Sequence, residues 1–123
     1  MKKWIIGAII VAAALIGWGF LDSKRPGELD AFAKCLQGKQ ITYYGAFWCP
    51  NCQNQNKMFG TSKQYLNYVE CSTPDGKGQT QQCTTEGIKA YPTWEWEDGQ
   101  RTEGVRSLEE IAERSGCELP AQQ

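Results

Sequence analysis

The chain is 123 residues long with a formal net charge of -1 and no histidine, which bounds it to one small domain and removes both the usual imidazole base and the commonest nitrogen ligand for zinc. Lysine and arginine together number 13 against 14 acidic residues, with no local basic run, so a nucleic-acid-binding face is excluded. Six cysteines, an even number, suit a chain that folds in an oxidising compartment, on the periplasmic or extracellular side of a cell membrane.

Lys2 and Lys3 precede an uncharged apolar run from Trp4 to Leu21, which as a helix would reach roughly 27 Å, close to the hydrocarbon thickness of a bilayer. Residues 1–21 are therefore expected to form an uncleaved single-pass anchor. The alternative is a signal peptide, but Ala12, Ala13 and Ala14 lie inside the run, with Leu15 to Leu21 still to come, rather than at a cleavage site beyond it. Residues 22–27 are polar and include Pro26-Gly27, so they read as a linker. Residues 28–123 are left as the folded domain.

Within that domain Leu29, Phe32, Ala33 and Leu36 recur at helical spacing before Gly38, which predicts a helix over 28–37. Ile41 to Phe47 is β-branched, aromatic and small, and predicts a buried strand running straight into Trp48-Cys49. A helix is expected from Pro50 to Phe59, because proline suits a first turn and Gly60 supplies a stop. Tyr65 to Glu70 is a second strand candidate, residues 72–79 a turn-rich loop, and Thr80 to Glu86 a short helix. Ile88 to Trp96 is strand-like but interrupted by Pro92, and Asp98-Gly99 marks a hairpin into Arg101 to Val105. Ser107-Leu108-Glu109-Glu110 is a capping box, opening a last helix that Gly116 should stop.

The stretch Cys49-Pro50-Asn51-Cys52 carries the chemistry. Two cysteines so spaced can be a redox pair, a metal clip or a structural bridge. A strand ending before Cys49 and a helix starting after it place this sulfur at a helix N-terminus, where unpaired N-H groups and the positive end of the helix dipole favour a thiolate. Cys52 lies about one turn along the same face, so the two sulfurs can close and reopen a disulfide. A client thiolate would attack Cys49, and the client's second thiolate would then leave Cys49 and Cys52 reduced.

Three stretches together, Tyr44-Gly45-Ala46-Phe47-Trp48-Cys49-Pro50-Asn51-Cys52-Gln53, Tyr68-Val69-Glu70-Cys71 and Gly87-Ile88-Lys89-Ala90-Tyr91-Pro92-Thr93-Trp94, resemble the thioredoxin superfamily. They are most similar to the thioredoxin-like domains associated with bacterial vitamin K epoxide reductase homologues. The resemblance implies an α/β, three-layer fold with a central mixed sheet of about four strands flanked by helices. It also implies a thiol-disulfide oxidoreductase that needs no cofactor or metal, and whose partners are exported client proteins with thiols or disulfides and a quinone-linked, vitamin K epoxide reductase-like membrane enzyme. Pro92 would be a cis proline facing the cysteine pair, with the Tyr91 backbone pairing an extended client segment; Trp48, Pro50 and Asn51 would support the site. Two positions depart from the superfamily pattern. Neutral Asn51 stands where many relatives carry histidine, and Tyr43 stands where a buried carboxylate is common. Glu95 is a candidate substitute for that carboxylate, against the plainer expectation that it pairs with Arg101.

Cys71 and Cys83 bracket the turn-rich loop, and Cys35 and Cys117 end the first and last helices, so the structural bridges are expected to be Cys71-Cys83 and Cys35-Cys117. Alternatives are a relay role for Cys71-Cys83, or a four-thiolate zinc site using Cys49, Cys52, Cys71 and Cys83. The latter has poor ligand spacing. At the level of function, a reductase or isomerase of the same fold, or a non-catalytic disulfide-stapled binding module, would share most of these features.

Overall fold

A computed structural model describes residues 27–120. The expected anchor over 1–21, and all of the linker but Gly27, lie outside the described residues. Among the described residues no helix is long and apolar enough to cross a membrane.

The elements in chain order are α1 (Asp30–Gly38), β1 (Thr42–Gly45), α2 (Pro50–Phe59), a 3-10 helix (Gly60–Tyr65), β2 (Asn67–Glu70), α3 (Gln81–Thr85), β3 (Thr93–Glu95), β4 (Arg101–Glu103) and α4 (Leu108–Ser115). The strands form one mixed sheet in the order β2-β1-β3-β4. β1 and β2 run parallel, so the chain must cross over between them, and α2 with the 3-10 helix is that crossover. β3 is antiparallel to both β1 and β4. A mixed four-stranded sheet flanked by helices fits a thioredoxin-like α/β fold.

Alternation along β1 sends Tyr43 and Tyr44 to opposite faces. Tyr43 joins the larger core, with Phe32 and Leu36 from α1, Phe59 from α2, Trp94 from β3, Trp96 just beyond it and Ile111 from α4. Tyr44 joins a smaller one with Cys71, Cys83 and Ile88. The sheet is thus sandwiched between three helices on one face and α3 on the other. The Tyr43 and Trp94 rings stack with centroids 4.6 Å apart, directly across the β1-β3 pairing.

Three boundaries differ from the sequence expectation. Within the strand-like run from Ile88 to Trp96, β3 is confined to Thr93–Glu95, because Pro92 has no N-H to give the ladder. The stretch Gly60–Tyr65 is a 3-10 helix; its polar sequence gives no periodic signal, and it is held by Ser62 Oγ donating 2.7 Å to Asp30 Oδ1. α1 begins at Asp30, which also accepts from the Gly27 N-H at 2.9 Å. At the other end, Ser107 caps α4 by accepting from the Glu110 N-H, and Gly116 closes it at φ 75°, a conformation glycine adopts without a Cβ penalty.

One buried polar residue fastens the active-site helix to the rest. Gln55 is completely buried; its Oε1 accepts from Trp94 Nε1 at 3.2 Å and from the Arg106 N-H at 2.8 Å, while its Nε2 donates to the Arg106 carbonyl at 3.0 Å. Gln55→Leu fills the same space but strands two donors and an acceptor in the core. The expected loss is about 2–4 kcal/mol in a urea titration of the variant against the parent. A loss below about 0.5 kcal/mol would show that the helix does not depend on this anchor.

Candidate active site

β1 ends at Gly45, and the turn that follows is closed by the Cys49 N-H donating to the Ala46 carbonyl at 3.1 Å. Cys49 has extended backbone, φ -74° and ψ 121°, and is the N-cap residue of α2; Pro50 occupies the first helical position. No side chain caps this helix, so its first-turn N-H groups lack an intrahelical partner. Pro50 and Asn51 are exposed.

Cys49 and Cys52 are free thiols of unequal burial, 8% and 1% exposed. The Cys49 Sγ faces the Tyr91 carbonyl at 3.7 Å. Tyr91-Pro92 is a cis peptide, Pro92 is fully buried, and Tyr91 packs against the pair. Burial first, and then the neighbouring Cys49 sulfur and Glu70 carboxylate, push the Cys52 thiol up to about 12 against the opposing pull of a backbone hydrogen bond at Ala46. Cys52 is thus kept protonated at neutral pH.

Trp48 is held across the pair by two contacts: its Nε1 donates to Ser72 Oγ at 2.8 Å, and its ring meets Tyr91 edge-on with centroids 6.1 Å apart. Phe47 and Trp48 remain about half exposed. The loop closed by the Cys71-Cys83 bond approaches both again at Gly76, where an added Cβ would lie 3.6 Å from Trp48 and 3.8 Å from Phe47.

The sequence of the domain is similar to that of a known redox enzyme. Thiol-disulfide oxidoreductase LTO1 of Arabidopsis thaliana is 42% identical over 94 residues, 72% of this chain. The chain spans only 24% of the length of that curated relative. No protein-family model matches the chain.

Of the remaining cysteines, Cys35 is bonded to Cys117 and Cys71 to Cys83. The second bond removes two sulfurs from the four-thiolate zinc alternative. Glu95 is not the carboxylate of the site. The register sets it opposite Thr42, at the end of β1 away from Cys49, and it pairs with Arg101 at 2.7 Å.

A different carboxylate lies close by, and it carried no role in the sequence expectations. Glu70, at the end of β2, is set opposite Gly45. Its Oε1 accepts from the Phe47 N-H at 2.9 Å, and its Oε2 accepts from the Tyr68 hydroxyl at 3.1 Å. Parallel pairing of Tyr68 with Tyr43 brings those two rings to 5.2 Å, tilted 55° to one another, beside Cys52. Tyr43, in the position where a carboxylate was sought, has its hydroxyl 3.0 Å from Asn56 Oδ1 and 3.2 Å from the Cys52 carbonyl oxygen. Burial drives its phenol far above the ordinary range, so it stays neutral.

Proposed function

We propose that the chain is a thiol-disulfide oxidoreductase in which Cys49 exchanges with the client and Cys52 opens and closes the disulfide. The observation that carries this reading is the pair of free, unequally buried thiols at the start of α2, beside the Tyr91-Pro92 backbone. The similarity to an enzyme named as a thiol-disulfide oxidoreductase supports it. Cys49 is the more accessible sulfur and takes the intermolecular step; Cys52, behind it, performs the intramolecular one. Trp48, Asn51 and the Tyr91 carbonyl line the approach.

The finer reading rests on the apolar run Trp4 to Leu21, the cysteine content and the resemblance to the thioredoxin-like domains associated with vitamin K epoxide reductase homologues. The domain is tethered to a membrane by its N-terminal segment, faces the oxidising side, passes disulfides to exported proteins and is recharged by a vitamin K epoxide reductase-like membrane enzyme. Membrane fractionation with and without residues 1–21 tests the tether.

The chemical core of the proposal is tested by thiol counting. After mild dithiothreitol treatment of the oxidised protein, mass spectrometry should find two new thiols, Cys49 and Cys52, while both structural bridges stay closed. Iodoacetamide at pH 7 should label Cys49 well before Cys52, since the latter is the more buried and its thiol is pushed up to about 12. If the Cys49-Cys52 bond resists reduction as firmly as the other two, the site is an inert staple and the enzyme reading is lost. The reduction potential is expected between about -270 and about -120 mV, the range from thioredoxin to a strong periplasmic oxidant.

A further inference from the structure

A buried thiol that must alternate between S-H and S⁻ needs somewhere to send its proton. Cys52 is 1% exposed. The titratable groups around it are Cys49 on its own helix, Tyr43 on β1, Tyr68 and Glu70 on β2, and Tyr91 before β3; Lys63 shares the groove between Tyr43 and Tyr68.

Gly45 reveals how Tyr68 is arranged relative to Cys52. A Cβ placed on Gly45 would lie 3.1 Å from Cys52 Sγ, 3.3 Å from the Tyr68 hydroxyl and 2.9 Å from the edge of the Tyr68 ring. The sulfur and the hydroxyl therefore face one small space, open only because residue 45 has no side chain. The hydroxyl in turn donates to Glu70 Oε2 at 3.1 Å. Glu70 and Tyr68 are both in reach of solvent, Tyr68 being 38% exposed. The Tyr43 hydroxyl also reaches the Cys52 side chain, but its other partners are the Cys52 carbonyl and the Asn56 amide oxygen, neither of which can carry a proton onward.

We propose that Tyr68 and Glu70 form the proton path of Cys52, the hydroxyl of Tyr68 passing a proton between Cys52 Sγ and the Glu70 carboxylate each time the disulfide opens or closes. This rests on reading Cys49 and Cys52 as a redox pair. When Cys52 resolves a mixed disulfide, its proton goes to the Tyr68 oxygen as the Tyr68 proton goes to Glu70. The Cys52 sulfur then attacks Cys49 Sγ, the Cys49-Cys52 bond forms, and the bond from Cys49 to the client sulfur breaks. Two electrons leave with the client thiolate, which takes its proton from water; Glu70 returns its proton to solvent. In the opposite direction a client thiolate displaces Cys52, which regains a proton along the same path. Tyr68 itself stays neutral, because burial and the adjacent Glu70 charge hold its phenol above the usual range.

The experiment follows reduced protein mixed with 5,5'-dithiobis(2-nitrobenzoate) by stopped flow. Attack by Cys49 releases one equivalent of thionitrobenzoate, and resolution by Cys52 releases a second. The first step, measured in a Cys52→Ala background, is the reference for each variant. Tyr68→Phe and Glu70→Gln should each slow the second step about tenfold at pH 7, a modest share of general acid-base catalysis because water can partly substitute. Their rates should climb with hydroxide and meet the parent near pH 10. A second step within twofold of the parent at pH 7 in both variants overturns the path. So does a slowing that is equal at every pH, which a purely structural role would produce. If the parent itself releases only one equivalent, the redox-pair reading fails and the path falls with it.

Discussion

A Cys52→Ala variant is expected to accumulate covalent adducts through Cys49, visible as mobility shifts on a non-reducing gel that dithiothreitol removes. With the resolving sulfur gone, a mixed disulfide formed at Cys49 can be released only by an external thiol, so it persists. Cys49→Ser should give no adducts and should reduce disulfide exchange with a model peptide to the uncatalysed rate, a loss on the order of a hundredfold or more. The asymmetry comes from position: Cys49 is the N-cap residue at the surface end of α2, and Cys52 lies a turn deeper at 1% exposure. Adducts of equal abundance through Cys52 in the Cys49 variant would contradict that division of labour, and their absence from both variants would favour an inert staple.

The Cys35→Ser, Cys117→Ser double variant should be the most destabilised form of the domain. The bridge closes 82 residues of chain, and the loop-entropy relation gives it about 4.5 kcal/mol, against about 3 kcal/mol for a loop the size of Cys71-Cys83. Small domains are stable by roughly 5–15 kcal/mol, so the longer bridge supplies a large part of the total. Urea titrations of the two double variants, each with the other bridge oxidised, give the order directly. If the Cys71, Cys83 variant were the weaker of the two, local packing around the loop rather than chain entropy would set the contribution.

Much of this architecture is legible in the sequence because local signals agree with the tertiary outcome. Pro50 and Gly60 bound α2, the Ser107 capping box opens α4, and Asp98-Gly99 turns β3 into β4. What escapes notice depends on contacts between distant segments. The 3-10 helix at Gly60–Tyr65 is held by Ser62 meeting Asp30, more than thirty positions earlier in the chain, and no periodicity announces it. The carboxylate near Cys52 was sought on the strand after Pro92, whereas the structure supplies Glu70 from β2. A signal for it exists: Tyr68 and Glu70 alternate onto one face of a strand. Only the parallel register, Tyr68 against Tyr43 and Glu70 against Gly45, shows that this face adjoins Cys52. Gly45 itself reads as a small residue in a strand until its neighbours are seen.

The Cys35-Cys117 bond also has a mechanical meaning. It welds the first and last helices of the domain, so tension applied at the two ends is borne by a covalent link and bypasses the sheet between them. Under oxidising conditions the chain between the two cysteines, a separation of 82 positions, cannot be drawn out; once the link is reduced, pulling could release up to about 290 Å of chain. Such a clasp keeps β1, α2 and the Tyr91-Pro92 segment in register while the chain around them is loaded.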